Sequence, residues 1–161
     1  MREAATMDVT TRTASPVAVG ELGQSLGFLL RLAQLQSFED FFSAHGPQGL
    51  KPGEFSVLFV IHRNPGIRQS ALGQRLMIKR AHMTKLIRAF EDRGLVSRRI
   101  PDEDRRAIEL TLTDAGIAAL DTASGAFFAY EETTGAPLTL IERDRLVALL
   151  RKFTGIDEVA G

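Results

Sequence analysis

The chain has 161 residues, 44% of them hydrophobic and 25% charged, and its 20 basic side chains are cancelled by 20 acidic ones. That balance suits one compact domain, or a small domain with an oligomerising extension. No apolar run approaches the ~20 residues of a membrane span. Residues 1–20 lack a basic-then-apolar leader pattern, so a cytoplasmic location is expected. Cysteine is absent, which excludes disulfides, thiolate metal sites and cysteine-based peroxide sensing.

Residues 1–19 show no apolar period and read as a flexible arm. Over 20–45 a helical pattern carries two apolar stripes: Leu22, Leu26, Leu29 and Ala33, then Phe28, Leu32, Leu35, Phe38 and Phe42 on another side. A helix apolar on two sides is buried on both, and in so short a chain the second side is expected to face another subunit. Gly46, Pro47, Gln48 and Gly49 end it. Pro52 opens the next helix, about 52–63, at the position where its missing N–H costs nothing; Phe55, Leu58, Phe59 and Ile61 are its apolar residues. Asn64, Pro65 and Gly66 form a turn.

A short helix over 69–76 turns Leu72 and Leu76 inward. A longer one over 80–93 does so with Met83, Leu86 or Ile87, and Phe90, and Gly94 supplies a left-handed cap. Residues 95–100 and 106–112 read as strands; in the second, Ile108, Leu110 and Leu112 alternate with Ala107, Glu109 and Thr111. The charged residues 101–105 between them make an exposed hairpin tip. Thr113 caps a helix over 114–132, and Thr139 with Glu142 has capping-box spacing at the start of a last helix over 140–153.

The predicted fold is mainly α: a winged helix-turn-helix with long N- and C-terminal helices. Those helices lack partners within a small domain and are expected to pair with a second copy. The implied organisation is an arm (1–19), a first dimerisation segment (20–50), the winged lobe (51–113) and a second dimerisation segment (114–161).

Charge is segregated along this order. Residues 68–106 hold eleven basic and five acidic side chains, a net +6, and the remainder carries −6. Distribution matters more than the total for a nucleic-acid binder, although a solvated basic face gives the same arithmetic.

Residues 50–116 resemble the MarR-type (multiple antibiotic resistance regulator) family. The resemblance is carried by the run from Arg68 through Gln69, Ser70, Ala71 and Leu72 to Leu76, by Ile78-Lys79-Arg80, and by Glu91-Asp92-Arg93-Gly94-Leu95-Val96. The wing signature Asp104-Arg105-Arg106 and the run Leu110-Thr111-Leu112-Thr113-Asp114-Ala115-Gly116 follow in order. Two positions depart from the pattern. Arg68 stands where Thr or Ser is usual, and Lys79 where Asp or Ser is usual; each forgoes a helix cap worth ~1 kcal/mol and adds a cation open to phosphate.

The resemblance implies a DNA-binding transcription regulator, with residues 80–93 as recognition helix. Ala81, His82 and Lys85 are then candidates for base edges, and Gln69, Ser70, Lys79, Arg80, Thr84 and Arg88 for phosphates. Of the wing arginines Arg105 and Arg106, one is expected in the minor groove, with Arg105 favoured, and Asp104 is expected to pair with the neighbouring arginine. A homodimer would read a near-palindromic operator in double-stranded DNA.

The family also implies a small-molecule effector between the dimerisation helices and the lobe. Arg31, Gln34, Phe38, Phe42, Phe55, Phe59 and His62 are its candidate lining, a set suited to an aromatic carboxylate or its thioester. The stretches 28–35, 52–58 and 64–70 are similar to regulators answering to hydroxycinnamoyl or other aromatic acyl-coenzyme A. The competing reading makes those phenylalanines core and Arg31 surface.

No nucleophile elbow, phosphate-binding loop or HExxH pattern is present, so neither an enzyme nor a resident cofactor is expected. Two alternatives are a metal sensor using His45, His62 and acids such as Glu39 or Asp40, and a winged helix serving as a protein-interaction module.

Overall fold

The computed structural model describes residues 17–43, 49–135 and 137–156, and the backbone alone of 44 and 45. Most of the expected arm and the centre of the turn at 46–48 lie outside the described residues. Two compact units divide the chain, residues 1–35 and 36–161.

The first unit holds a 3₁₀ turn, Gly20–Gln24, and the start of helix α1, Leu26–His45, whose residues from Gln36 onward belong to the second. The sequence predicts one helix from residue 20. Instead Ser25 is extended (φ −79°, ψ 115°), and Gly20, Gly23 and Gly27 around it are poor helix formers. Leu22, Leu26, Leu29, Leu32 and Leu35 all stand exposed.

In the second unit the core forms where α2 (Pro52–Arg63), α3 (Gln69–Arg75) and α4 (Arg80–Asp92) meet a small sheet. Phe55, Val57, Leu58 and Ile61 come from α2, Leu72 from α3, and Met83, Ile87 and Phe90 from α4. The sheet has three antiparallel strands in the order β1 (Ile67–Arg68), β3 (Glu109–Leu112), β2 (Val96–Arg99). Leu110 pairs with Ile67 on one side and Arg98 on the other, which carries its side chain into the core. Helices α5 (Asp114–Thr133) and α6 (Leu140–Thr154) follow, and α5 contributes Leu120 to the core.

The structure corrects the strand bounds. β1 has only two residues, too few for an alternating pattern to show. β3 begins at Glu109 rather than residue 106, because residues 101–107 fold on themselves. Asp104 N–H donates to the Pro101 carbonyl (3.2 Å), Ala107 N–H donates to the Asp104 carbonyl (2.9 Å), and Pro101 and Ala107 are buried. The wing therefore has a compact tip rather than a ladder running to its end.

Two close backbone approaches explain residues in the sequence signatures. Gly73 in α3 accepts from Ile78 N–H (2.8 Å), and a Cβ there would stand 3.2 Å from the Ile78 carbonyl oxygen. Gly116 in the first turn of α5 lies so near Leu95 that a Cβ would come within 2.0 Å of its carbonyl oxygen. Thr113 locks that joint: its hydroxyl donates to the Gly94 carbonyl (2.6 Å) and accepts from Gly116 N–H (3.0 Å). Gly94 itself has φ +69°, the left-handed conformation expected of it. The capping box of α6 also forms, with Glu142 accepting from Thr139 N–H at 2.9 Å.

Candidate nucleic-acid interface and aromatic pocket

Helix α4 is sharply two-sided. Met83, Ile87 and Phe90 are buried, while Ala81, His82, Thr84, Lys85 and Arg88 stand on the exposed side. The spacing of the apolar residues dictates this: 3.6 residues per turn puts one row in the core and the polar rows outside. The left-handed Met77 (φ 54°) holds the turn between α3 and α4, and its side chain is 91% exposed.

The eleven cations of residues 68–106 fall into two groups. Arg68 pairs with Asp104 (3.4 Å), Arg93 with Glu54 (3.6 Å), Arg98 with Glu91 (2.8 Å) and Arg99 with Glu109 (2.9 Å). The hydrogen bond and charge of Glu109 raise the Arg99 pKa above its ordinary value. Arg75, Lys79, Arg80, Lys85, Arg88, Arg105 and Arg106 have no acidic partner among the described residues. Paired cations are already neutralised, so the unpaired seven define the surface open to a polyanion.

An open hollow of about 760 Å³ collects several of them. Gln69, Ser70, Lys79, Arg80 and the wing's Arg106 all line it, so the helix-turn-helix and the wing share one concave surface. Gln69 differs from the other site candidates in being buried. Its Nε2 donates to Thr84 Oγ1 (3.2 Å), tying α3 to α4, and its Oε1 has no partner.

Asp104 departs from expectation. Its carboxylate does not pair with the side chain of either neighbouring arginine. One oxygen accepts from Arg106 backbone N–H (3.2 Å) and the other faces Arg68 across the wing base. Both arginine side chains stay exposed. Arg68, the residue before α3, makes no side-chain cap, as its sequence implies; neither does Lys79 before α4.

A second cavity, about 540 Å³, lies among Phe41, Leu50, Phe55, Phe127, the alanine face of α5 and Arg93. Phe55 and Phe127 stack with centroids 3.9 Å apart at 15°, and Phe41 meets Tyr130 edge-on at 5.2 Å. The Tyr130 hydroxyl donates to the Ser37 carbonyl, fixing α5 against the later part of α1. Of the seven residues expected from sequence to line an effector site, this cavity takes Phe55. Phe59 stacks on Phe55 at 5.7 Å and is half-buried. Phe38, Phe42 and His62 are exposed, and Arg31 and Gln34 belong to the first unit and are exposed there.

Phe41, Phe127 and Arg93 escaped sequence reasoning. Phe41 lies between two apolar stripes, and Arg93 reads as an ordinary helix end. Among the described residues no three His, Asp or Glu side chains gather at metal-binding distance; the side chain of His45 lies outside that set. No helix among the described residues is long and apolar enough to cross a membrane.

A helix-turn-helix whose outer face and adjoining wing carry the unpaired cations defines the winged-helix class of transcription regulator. A family model described as the MarR family matches residues 50–108. A protein of Thauera aromatica assigned as transcriptional regulator for the hcr operon is 33% identical over 135 residues, 83% of this chain and 81% of its own length. The chain belongs to the MarR family of transcription regulators. Among solved structures, the transcriptional repressor CouR bound to a 23-mer DNA duplex matches with a TM-score of 0.77 and 36% identity, covering 86% of this chain and 99% of that one. CouR bound to p-coumaroyl-CoA matches with a TM-score of 0.73 and 34% identity, covering 86% and 97%.

Proposed function

We infer that this regulator is a cytoplasmic homodimer that binds near-palindromic double-stranded DNA through α4 and the wing. A small aromatic ligand, an aromatic carboxylate or its coenzyme A thioester, releases it and relieves repression. The observation that carries the DNA reading is the shared hollow, where Ser70, Lys79 and Arg80 meet Arg106 of the wing with no acid pairing the cations. Ala81, His82 and Lys85 face base edges from the exposed side of α4, and Ser70, Lys79, Arg80 and Arg88 meet phosphates. Gln69, being buried, braces α3 against α4 through Thr84 and leaves the phosphates to its neighbours. Arg105, at the tip, enters the minor groove, and Arg106 lies nearer the phosphates.

Dimerisation is supported by apolar surface that a monomer would leave in water. On α6, Leu140, Ile141, Leu149 and Phe153 are exposed, as are Leu26, Leu29, Leu32 and Leu35 of α1. Pairing these helices would set two recognition helices ~34–36 Å apart, one turn of DNA. The effector reading rests on the cavity walled by Phe41, Phe55 and Phe127, with Arg93 for an anionic or thioester end, and on the similarity to CouR, solved with p-coumaroyl-CoA. For a ligand there to release DNA, it must bind more tightly to a dimer shape that does not fit the grooves.

The test is one titration series. The protein is added to a labelled duplex that it has itself selected from a randomised pool, and p-coumaroyl-CoA is then added to the complex. Tight, salt-sensitive binding with release by the thioester is expected. Failure to prefer the selected duplex over random DNA removes the DNA reading, and retention at saturating thioester removes the effector reading alone.

A further inference from the structure

Arg68 and Asp104 come from elements far apart in sequence but adjacent in the fold. Arg68 ends β1 and is the last residue before α3, and Asp104 is the hub of the wing tip. Every polar group of Asp104 is engaged. Its N–H donates to Pro101, its carbonyl accepts from Ala107, one carboxylate oxygen accepts from Arg106 N–H, and the other faces the Arg68 guanidinium at 3.4 Å. The tip thus folds around Asp104, and among the described residues Arg68 is the cation paired with its carboxylate.

The backbone beneath is continuous with the same joint. Gln69 N–H donates to the Ile108 carbonyl (2.8 Å), and Arg68 is opposite Glu109 in the β1–β3 register. Side chain and backbone therefore tie the wing to the start of the helix-turn-helix at adjacent residues. Arg105 and Arg106 flank the Asp104 hub with exposed, unpaired side chains.

We propose that Arg68 is a positioning residue for the wing. Its ion pair with Asp104 sets the pose from which Arg105 and Arg106 meet DNA, in place of the helix cap or phosphate contact that its position suggests. The proposal rests on the DNA reading above. An ion pair this exposed contributes little to overall stability, because water screens it. Its effect lies in orientation: a loosened tip must be ordered again each time DNA binds, and that cost falls on affinity and on discrimination at the base pairs under the wing.

The test separates a strut from a phosphate contact. Three variants are needed: Arg68→Thr; Asp104→Asn, which keeps an acceptor for Arg106 N–H while removing the charge; and the two combined. Hydrogen exchange of the free protein is followed at the amides of Arg106 and Ala107. Affinity is measured for a duplex selected by the wild-type protein and for its twin with G·C replacing A·T under the wing, across a range of salt.

A strut predicts faster exchange at the tip in both single variants. It also predicts a loss of about 2- to 5-fold in affinity and a reduced preference between the twin duplexes, on the order of one exposed ion pair of orientation. In the combined variant the two single effects should not add, because either one breaks the same pair. The slope of log affinity against log salt should stay unchanged. A slope shallower by ~0.9 per protomer for Arg68→Thr, with unchanged exchange at the tip, would make Arg68 a phosphate contact and overturn the proposal. Unchanged exchange and unchanged affinity together would also overturn it. Failure of the wild-type protein to bind any selected duplex strikes the DNA reading, while the exchange measurement still judges the strut.

Discussion

Replacing Gly116 by Ala tests the joint between the wing and α5. A methyl group there would stand 2.0 Å from the Leu95 carbonyl oxygen, and ordinary contact begins at 3.4 Å, so the two backbones must part by about 1.4 Å. That carbonyl also accepts from Thr113 N–H (3.1 Å), and the Thr113 hydroxyl bonds the Gly94 carbonyl (2.6 Å), so the joint cannot open without loosening its own lock. Overpacking costs ~1–3 kcal/mol and one weakened hydrogen bond ~1 kcal/mol. The better helix propensity of Ala returns up to ~1 kcal/mol. The net expectation is a loss of about 2 kcal/mol, or ~4–8 °C in Tm for a chain of this size. Urea unfolding measures it, at one fixed protein concentration because the stability of the proposed dimer would depend on concentration. Gly125→Ala on the same helix is the control: nothing lies within 4 Å of its Cβ position, so it should be neutral or slightly stabilising. Equal effects at the two glycines would refute the steric account.

Met77 is held at φ 54° with its side chain almost wholly in water, so Met77→Gly should relieve a left-handed penalty. A gain of about 0.5 kcal/mol in urea unfolding is expected after the entropy of the added glycine is charged, and a loss would show the side chain is needed for stability. The sorting of cations predicts different salt responses. Lys79→Ala and Arg80→Ala should each flatten the log–log salt slope for DNA by ~0.9 per protomer, whereas Arg98→Ala and Arg99→Ala, whose partners are Glu91 and Glu109, should leave it nearly unchanged. Similar slopes for all four would show that the ion pairs open on DNA. Glu142 is held below its ordinary pKa of 4.5 by the backbone N–H of Thr139 and then by the Thr139 hydroxyl. Its stabilisation of the α6 N-terminus is therefore complete above the unfolded pKa and fades as pH falls through the lower, folded one. Glu142→Gln should remove that acid-side dependence, measured as exchange at the first turn of α6 between pH 3 and 6.

The two-sided helix α4 is legible in sequence because Met83, Ile87 and Phe90 repeat at the helical period and most of the remaining positions are polar or charged. Gly94, Thr113 and Gly116 are legible as a signature, but its cause, a glycine pressed on the Leu95 carbonyl, appears only in three dimensions. Composition reports Arg68, Arg93, Arg98 and Arg99 as charges, and only the fold shows each beside an acid. β1 escapes because two residues carry no period. The cavity is the least legible part. Phe38 and Phe42 fall on an apolar stripe of α1, and Phe41 falls beside it. Phe41 is the buried one, packed edge-on against Tyr130, while the other two stay exposed.

Arg93 belongs to two places at once. It ends α4, packs 5.8 Å over the Phe90 ring, faces Glu54 on α2, and forms part of the wall of the aromatic cavity. Its guanidinium joins the wall of the pocket to the end of α4 with no other side chain between them. If the proposed effector presents an anion there, it would meet a guanidinium already facing Glu54 at 3.6 Å, so the occupant of the pocket and the contact between α2 and α4 would draw on one cation.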